Sequence, residues 1–296
     1  MRINKPSVVI PEAAIYAGEF HLNRKEIASP ISYRGDVKLI YRTPKERIRS
    51  WLDLLMPWSQ FGFGVGYLRE LLRNRSYAVK GIYDDQLWME TAGNFLDLLE
   101  SYRGKFIIEG IENILKTNGP VVFAANHMSV LETFILPLVI TPHKANTFVV
   151  KESLTRGNLF GPIMRSRNPI ALKRENPRED LTKVMEEGVE KLQNGLSLVI
   201  FPQSTRDLVF RPKEFNSIAT KLAKRANVPV IPIALKTDFW VPGGLIKDFG
   251  YLFRDRPVYI KFGEALHPTV DPRKNQEDIV GFIRSHLEEW GGQIED

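Results

Sequence analysis

The chain has 296 residues, 43% hydrophobic and 26% charged, which is typical of a folded protein with a substantial core. It contains no cysteine, which excludes disulfides, thiolate metal sites and a thiol nucleophile, and which fits a reducing compartment. A formal net charge of +6 indicates an acidic partner such as anionic lipid, phosphate or nucleic acid. Nucleic acid is the weakest of these, because no zinc-finger, RNP-like or basic heptad pattern is present.

The first hundred residues divide into two parts. Residues 1–45 show little hydrophobic periodicity and are predicted to form an irregular arm. The stretch 51–68 is aromatic, rich in glycine and almost uncharged, and arginines and lysines flank it on both sides. Its uncharged core of about 15 residues is shorter than the roughly 20 that span a bilayer.

Two interpretations of this stretch stay open. Aromatic residues between basic clusters are typical of a segment that lies in the membrane interface, which predicts lipid-facing positions at Trp51, Trp58, Phe61 and Phe63. The second interpretation is a helical hairpin packed on the rest of the protein, with Pro57 and the glycines at its bend. A hairpin that also dips into the interface satisfies both interpretations.

An amphipathic helix is predicted from Asp84 to Tyr102. From residue 103 onward, short apolar runs alternate with helical patterns, which indicates an α/β fold with a mostly parallel mixed sheet flanked by helices. We therefore expect an N-terminal arm with a helical, membrane-associating segment over 1–102, and an α/β domain over 103–296.

The elements of the α/β domain follow from the apolar runs and their punctuation. Strands are predicted over 106–110, 121–125, 147–151, 170–172, 196–201, 228–234 and 258–263. Helices are predicted directly after His127 and over 178–193, 219–225 and 276–290. The strand 228–234 contains two prolines, which places it near an edge or a bulge.

His127 follows the buried strand 121–125, and Glu132 follows His127 by five residues. A histidine beside an acid is a common general base near neutral pH. In a regular helix, five residues turn the chain through about 500° and leave the two side chains roughly 140° apart. They meet only if the chain turns at His127 and a helix starts one or two residues later, capped by Ser129. Taken alone, the pair is more simply an interior histidine and a surface charge.

A second polar segment, Phe201 to Asp207, also follows an apolar strand. A turn containing Ser204 and Thr205 can aim backbone N–H groups outward, and Arg206 can hold a phosphate through two hydrogen bonds. Asp207 is expected at most to orient Arg206. For this segment alone, a helix-capping turn with a surface salt bridge is the simpler interpretation.

Together these segments resemble the glycerolipid acyltransferase family, of the 1-acylglycerol-3-phosphate (lysophosphatidic acid) acyltransferase type, over roughly residues 103–268. Four blocks carry the resemblance in the family's order. They are Asn126-His127 with Glu132, then 151–154 with Gly161 and 170–174, then Phe201-Pro202-Gln203-Ser204-Thr205-Arg206, and finally Val228-Pro229-Val230-Ile231-Pro232.

The resemblance implies a transfer of a fatty acyl group from acyl-CoA or acyl carrier protein to a lysolipid hydroxyl, with no metal or other cofactor. His127 would be the general base and Glu132 would orient its imidazole. Arg206, Arg174 and Lys151 would bind the acceptor's phosphate. Oxyanion donors would come from backbone N–H groups at Ser204 and Thr205, or at the start of the helix after His127.

The resemblance also implies a cytoplasmic protein, peripheral to the cytoplasmic, anionic face of a membrane. Two departures from the family pattern stand out: Glu132 replaces the usual aspartate, and Gln203-Ser204 replace the usual Glu-Gly. The second puts the acceptor in doubt. Lysophosphatidic acid is the default, while another lysolipid, an ornithine-type lysolipid or a glycolipid hydroxyl stays open. Two further hypotheses are a lipid-binding relative without catalysis and a metal-dependent hydrolase using His127, Glu132 and Asp207.

Overall fold

The computed structural model describes residues 8–11, 18–32, 36–55, 60–203, 205–243 and 250–296. Trp58, Pro57 and Ser204, for which roles are predicted above, lie outside these residues.

The described residues form short strands and helices of very different lengths. The strands are β1 Val8–Val9, β2 Glu19–Leu22, β3 Ile31–Ser32, β4 Lys38–Arg42, β5 Phe106–Glu109, β6 Val122–Ala125, β7 Asn146–Lys151, β8 Ile170–Leu172, β9 Ser197–Ile200, β10 Val209–Phe210, β11 Val230–Lys236, β12 Val258–Phe262 and β13 Gln293–Ile294. The α-helices are α1 Trp51–Leu55, α2 Phe61–Val79, α3 Asp85–Ser101, α4 Ile111–Leu115, α5 Leu131–Ile140, α6 Ser153–Arg156, α7 Phe160–Ser166, α8 Pro177–Gln193, α9 Ile218–Ala226 and α10 Pro272–Glu289. One 3₁₀ turn covers Pro212–Glu214.

Among the described strands, nine form one mixed sheet in the order β2-β4-β5-β12-β11-β6-β9-β7-β8. The five strands from β11 to β8 run parallel to one another. β12 runs antiparallel to β11, and β4 runs antiparallel to β5. The predicted fold class, a mostly parallel mixed sheet flanked by helices, is confirmed.

Helices cover both faces of this sheet, and strand β6 shows why its sequence is an unbroken apolar run. Phe123 and Ala125 point into a core shared with α2, α3 and α5, whereas Val122 and Ala124 point into a second core shared with α8, α9 and α10. A strand buried on both faces loses the alternation of apolar and polar residues that a half-exposed strand shows.

The prediction of an irregular arm over 1–45 is wrong for the residues described. β4 pairs with β5 in register Tyr41 to Ile108, so the main sheet and its core run across position 102. The buried Tyr41 hydroxyl donates to Glu100, 2.7 Å away, and ties this strand to α3. The sequence signal for β4 is weak because its apolar residues, Leu39 to Tyr41, stand between Lys38 and Arg42 in a stretch with little periodicity.

The glycine-rich stretch forms α1 and the start of α2. The glycines were predicted to lie at the bend of a hairpin. They lie instead in the first turns of α2, where other elements approach closely. A Cβ on Gly62 would come within 2.8 Å of the Leu52 Cβ, and one on Gly66 within 2.6 Å of Leu98 Cδ1. Across the described part of the chain, we find no helix with the length and apolarity needed to cross a bilayer.

The proline-containing strand is central in the sheet rather than at an edge, and its seven residues are all buried. The predicted bulge is present beside Pro232. Antiparallel pairing joins Val230 to Leu266 and then Ile233 to Phe262, so the partner has one extra residue between the two contacts. Pro232 has no N–H to donate, and its carbonyl accepts the Gly263 N–H at this bulge, 2.8 Å away.

Candidate active site

His127 lies just past the carboxyl end of β6, which is paired on both sides with the parallel strands β11 and β9. Asn126 fixes the chain at this point by bridging to the next strand. Its side-chain amide donates to the Leu235 carbonyl (2.7 Å) and its side-chain oxygen accepts the Leu235 N–H (2.8 Å). The amide therefore continues the backbone pairing of β6 by one residue and sets the direction in which His127 leaves the sheet.

A tight turn, rather than an early helix, brings Glu132 to His127. The helix α5 begins at Leu131, four residues after His127 instead of the predicted one or two. Glu132 Oε1 accepts the N–H groups of Met128 and Ser129, each at 2.9 Å, and Ser129 Oγ accepts the Leu131 N–H at 3.2 Å. Glu132 Oε2 then lies 2.5 Å from His127 Nδ1.

The Glu132 carboxylate is fully buried, and a third donor satisfies it. Thr237, just past the end of β11, donates its hydroxyl to Oε1, and Ser129 donates to the Thr237 hydroxyl at 3.1 Å. A buried carboxylate without such donors would be strongly destabilising. Sequence reasoning missed Thr237, since it lies 105 residues from Glu132 and belongs to no recognised block.

The imidazole of His127 presents one nitrogen to the outside. Its side chain is 17% exposed, and Nδ1 is occupied by Glu132, so Nε2 is the nitrogen available to a substrate. The ring stacks on Phe201 with centroids 4.0 Å apart and planes inclined by 17°. This packing restricts rotation of the ring and favours one orientation of Nε2.

The turn after β9 wraps around the backbone of His127. The Gln203 side-chain oxygen accepts the His127 N–H at 3.0 Å, and the His127 carbonyl accepts the Asp207 N–H at 2.9 Å. Two blocks far apart in sequence thus meet at one residue. The Asp207 carboxylate forms an ion pair with Arg211. It does not orient Arg206, as the sequence suggested.

The predicted phosphate ligands follow successive strands along the same edge. Arg206 follows β9, next to the strand of His127, and is partly buried. Lys151 ends β7, the second strand along, and Arg174 follows β8, the third; both are exposed. With strands about 4.8 Å apart, Lys151 and Arg174 stand roughly 10 and 14 Å from His127 along the edge. Arg206 is therefore the basic residue best placed for a group bound at His127.

Some of the N–H groups between His127 and α5, where oxyanion donors were predicted, already have acceptors. The N–H groups of Met128 and Ser129, at the approach to α5, already donate to Glu132 and cannot bind a developing oxyanion. Thr205 is exposed in the turn after β9, and this turn stays the predicted source of oxyanion donors. Ser204 lies outside the described residues. Where the chain is described, no three histidine, aspartate or glutamate side chains are arranged to hold a metal.

The aromatic residues predicted to face a membrane divide into two groups. Trp51 is 66% exposed and Phe61 is 69% exposed, as an interfacial role requires. Phe63 is fully buried against Tyr102 and Trp240, with ring centroids 5.7 and 5.0 Å apart, so the prediction for it is wrong. Two residues along a helix turn the side chain by about 200°, which puts Phe61 and Phe63 on opposite faces of α2.

Known proteins resemble this chain in sequence. A family model described as Acyltransferase matches residues 105–236. The chain is 31% identical over 188 residues to a 1-acyl-sn-glycerol-3-phosphate acyltransferase of Pseudomonas aeruginosa, covering 63% of this chain and 67% of the relative. It is 30% identical over 131 residues to the chloroplastic enzyme LPAT1 of Arabidopsis thaliana, covering 44% of this chain but only 36% of that relative.

A solved structure has a similar fold. The crystal structure of the 1-acyl-sn-glycerophosphate acyltransferase of Thermotoga maritima superposes with a TM-score of 0.54 at 21% identity, over 83% of this chain and 95% of that one. The sequence matches thus define an acyltransferase. The chain belongs to the glycerolipid acyltransferase family and is of the 1-acylglycerol-3-phosphate acyltransferase type, which confirms the resemblance that its four blocks predicted.

Proposed function

We propose that the protein transfers a fatty acyl group from acyl-CoA or acyl carrier protein to the free hydroxyl of lysophosphatidic acid, giving phosphatidic acid. The observation that carries this proposal is the contact between His127 Nδ1 and the buried Glu132 Oε2, 2.5 Å apart. The turn after β9, which contains Arg206, lies against the backbone of the same histidine. The names of the relatives, 1-acyl-sn-glycerol-3-phosphate acyltransferases, support this choice of acceptor.

His127 would act as the general base through Nε2. Glu132 holds the proton on Nδ1, so that Nε2 carries a lone pair toward the acceptor hydroxyl. As Nε2 takes up the hydroxyl proton, the ring becomes positively charged, and the adjacent carboxylate stabilises that charge. Direct attack on the thioester requires no covalent acyl-enzyme, in keeping with a chain that contains no cysteine.

The reaction balances with these groups alone. The acceptor oxygen forms a bond to the thioester carbonyl carbon while its proton passes to His127 Nε2. The tetrahedral intermediate then collapses, the carbon–sulfur bond breaks, and the imidazolium returns the proton to the leaving thiolate. Because the thioester is already an activated acyl group, the chemistry calls for no cofactor beyond the donor itself. Backbone donors in the turn at Thr205 are our candidates for the oxyanion.

Arg206 would bind the phosphate of the acceptor next to the reacting hydroxyl. A guanidinium can make two parallel hydrogen bonds to a phosphate, which fixes the orientation of the acceptor as well as its affinity. Lys151 and Arg174 lie one and two strands further along the edge, and we assign them supporting contacts to a phosphate on the acceptor or on the donor.

Gln203 bears on the identity of the acceptor. Its side-chain oxygen accepts the His127 N–H, a role that a carboxylate could also fill, so the glutamine leaves the support of His127 intact. This contact does not identify the acceptor, so another lysolipid or a glycolipid hydroxyl is an alternative to lysophosphatidic acid. A lipid-binding relative without catalysis is disfavoured by the retained contact between His127 and Glu132.

We further propose that the protein works while attached peripherally to the cytoplasmic face of a membrane. Support comes from a group of large apolar side chains on and around α1 and α2, each at least 49% exposed to solvent. They are Ile48, Trp51, Leu54, Leu55, Phe61, Val65, Leu68 and Leu72, and we call them the apolar patch. Apolar surface of this kind, next to arginines, is typical of proteins that lie in the membrane interface.

A substrate panel tests the activity. Purified protein is offered lysophosphatidic acid, other lysophospholipids, an ornithine lysolipid and a glycolipid, each with acyl-CoA and with acyl carrier protein, and products are identified by mass. We expect phosphatidic acid with wild type and none with His127→Ala, and no effect of a chelator. Thioester consumption without any acylated acceptor, or full activity of His127→Ala, would overturn the proposal.

A further inference from the structure

One buried carboxylate, that of Asp53, has three arginines around it. Its Oδ2 lies 2.9 Å from Arg49 Nη2 and 3.0 Å from Arg103 Nε, and its Oδ1 lies 3.1 Å from Arg254 Nε. The Asp53 side chain is fully buried, and that of Arg254 is 10% exposed. Arg49 and Arg103 are 39% and 37% exposed, so they reach from the carboxylate to the surface.

The charges of this cluster do not balance. Arg49 and Arg103 alone bring two positive charges to the single negative charge of Asp53, more than a salt bridge made only to neutralise Asp53 requires. A guanidinium has five N–H donors, and the carboxylate contacts account for only part of them. The exposed ends of Arg49 and Arg103 can therefore bind a second anion.

Arg103 adopts a conformation that costs energy. Its φ of +73° lies in the left-handed region, just after the end of α3, where glycine is usual. A residue other than glycine is strained in this conformation, because its Cβ approaches the following carbonyl oxygen. Glycine would remove that strain but also the guanidinium that pairs with Asp53.

The cluster lies at the margin of the apolar patch. Asp53 is on the buried face of α1, whose other face presents Trp51, Leu54 and Leu55 to solvent. The Ser50 N–H donates to the Ser101 carbonyl at 2.9 Å, which holds the start of α1 against the end of α3, next to Arg103. An anion bound here would have an apolar surface beside it.

We propose that Arg49 and Arg103, held in place by Asp53, form a binding site for the phosphate of an anionic phospholipid in the bilayer. The phosphate would take up hydrogen bonds from the two half-exposed guanidiniums while the acyl chains lie beside Trp51, Leu54 and Leu55. This site rests on the proposed membrane attachment and gives it a preference for anionic lipid. It lies outside the residues assigned to the reaction.

Binding to vesicles tests the site. Sedimentation is measured with vesicles of phosphatidylcholine alone and with one quarter of phosphatidylglycerol, using wild type and Arg49→Gln/Arg103→Gln. Each basic residue near an anionic surface contributes about a fivefold change in partitioning, so we expect the double variant to lose about twenty-five-fold on the mixed vesicles and little on the neutral ones. Arg225→Gln, an exposed arginine on α9 at the other face of the sheet, is the control and should change little.

Variants with different effects separate binding from a purely structural role. Asp53→Asn removes the carboxylate that positions both guanidiniums but keeps their charges, so it should weaken binding to the mixed vesicles. Arg49→Lys/Arg103→Lys keeps both positive charges and should retain most of the vesicle binding. This double variant tests the site even if Asp53→Asn does not fold. Wild-type binding by the folded Arg-to-Gln variant, or the same loss with the lysine variant, would refute the site. Competition by free phosphate with no preference among vesicles would show a solution anion site and would also refute it.

The result is independent of the enzymatic assignment. His127→Ala should bind vesicles as wild type does, and the Arg-to-Gln variant should acylate lysophosphatidic acid dispersed in detergent at the normal rate. If wild type binds neither kind of vesicle, the membrane attachment itself fails. If it binds both kinds equally, only the anionic-lipid site fails.

Discussion

Glu132→Gln should switch the proton on His127 to the wrong nitrogen while leaving the fold intact. Three donors, the N–H groups of Met128 and Ser129 and the hydroxyl of Thr237, point at Oε1, and among the described residues only His127 Nδ1 faces Oε2. The glutamine must therefore direct its oxygen to the three donors and its NH₂ to His127. An NH₂ facing Nδ1 makes Nδ1 an acceptor, so the proton moves to Nε2, where the base is needed.

The size of the effect follows from comparable triads. An amide in place of the acid of a Ser-His-Asp triad lowers kcat by about 10⁴, because the histidine is held in the wrong tautomer. That factor corresponds to about 5.4 kcal/mol in the activation free energy. Since glutamine matches the shape of glutamate, and the three donors keep their acceptor, we expect little change in the free energy of unfolding.

Steady-state thiol release with lysophosphatidic acid as acceptor measures kcat, and nitrogen NMR of the imidazole reports the tautomer. Glu132→Asp is the matched control, because it keeps the acid but shortens its reach by one methylene. The control should lose less activity than the amide and keep the Nδ1-protonated tautomer. A Glu132→Gln enzyme within tenfold of the wild-type kcat would refute the role given to Glu132.

Three further predictions concern residues around the site and the sheet. Thr237→Val removes a donor to a buried carboxylate and should lower the free energy of unfolding by about 2 kcal/mol in a denaturant titration; unchanged stability would show that the hydrogen bond contributes nothing. Arg206→Gln should raise KM for lysophosphatidic acid ten- to a hundredfold, because a charged hydrogen bond contributes about 1.4–2.8 kcal/mol, and it should leave KM for a phosphate-free acceptor unchanged. Equal increases in KM for both acceptors would exclude phosphate binding by Arg206. Gly110→Ala should lower the free energy of unfolding by well over 1 kcal/mol, because φ is +78° and the new Cβ would lie 2.0 Å from the Phe262 carbonyl oxygen. Gly119→Ala is the control: its φ is +70° but its Cβ would meet no atom, so it should lower that free energy by only about 1 kcal/mol.

The sequence predicted the parallel part of the sheet well because its strands are buried on both faces. The run 121–125 is apolar throughout and 196–201 is apolar except for Ser197, and loops or helices with clear punctuation separate such runs. The α3 helix was equally visible, because the apolar residues of 84–102 follow an amphipathic pattern. In the structure Asp84 caps this helix by accepting the Leu87 N–H at 2.9 Å. The strands of the first 45 residues were missed because charged or polar residues interrupt or flank their apolar runs, as in Glu19–Leu22 and Lys38–Arg42.

The site was only partly visible in the sequence. Blocks of residues identified His127 and Glu132, but their contact depends on a turn in which Glu132 binds the backbone of Met128 and Ser129. No local pattern specifies that turn. The role of Thr237 depends on how β11 lies beside β6, which is a property of the whole sheet. Phe63 was misassigned because an aromatic, glycine-rich run gives no sign of which helix face packs inward.

The central claim is that His127 activates the acceptor hydroxyl for direct attack on the thioester. Thiol release from acyl-CoA, followed with and without lysophosphatidic acid, tests it most directly in wild type and His127→Ala. We predict release only when wild type and lysophosphatidic acid are both present, in a ratio of one thiol to one phosphatidic acid. A burst of thiol from wild type without acceptor, or steady release by His127→Ala with it, would contradict the account.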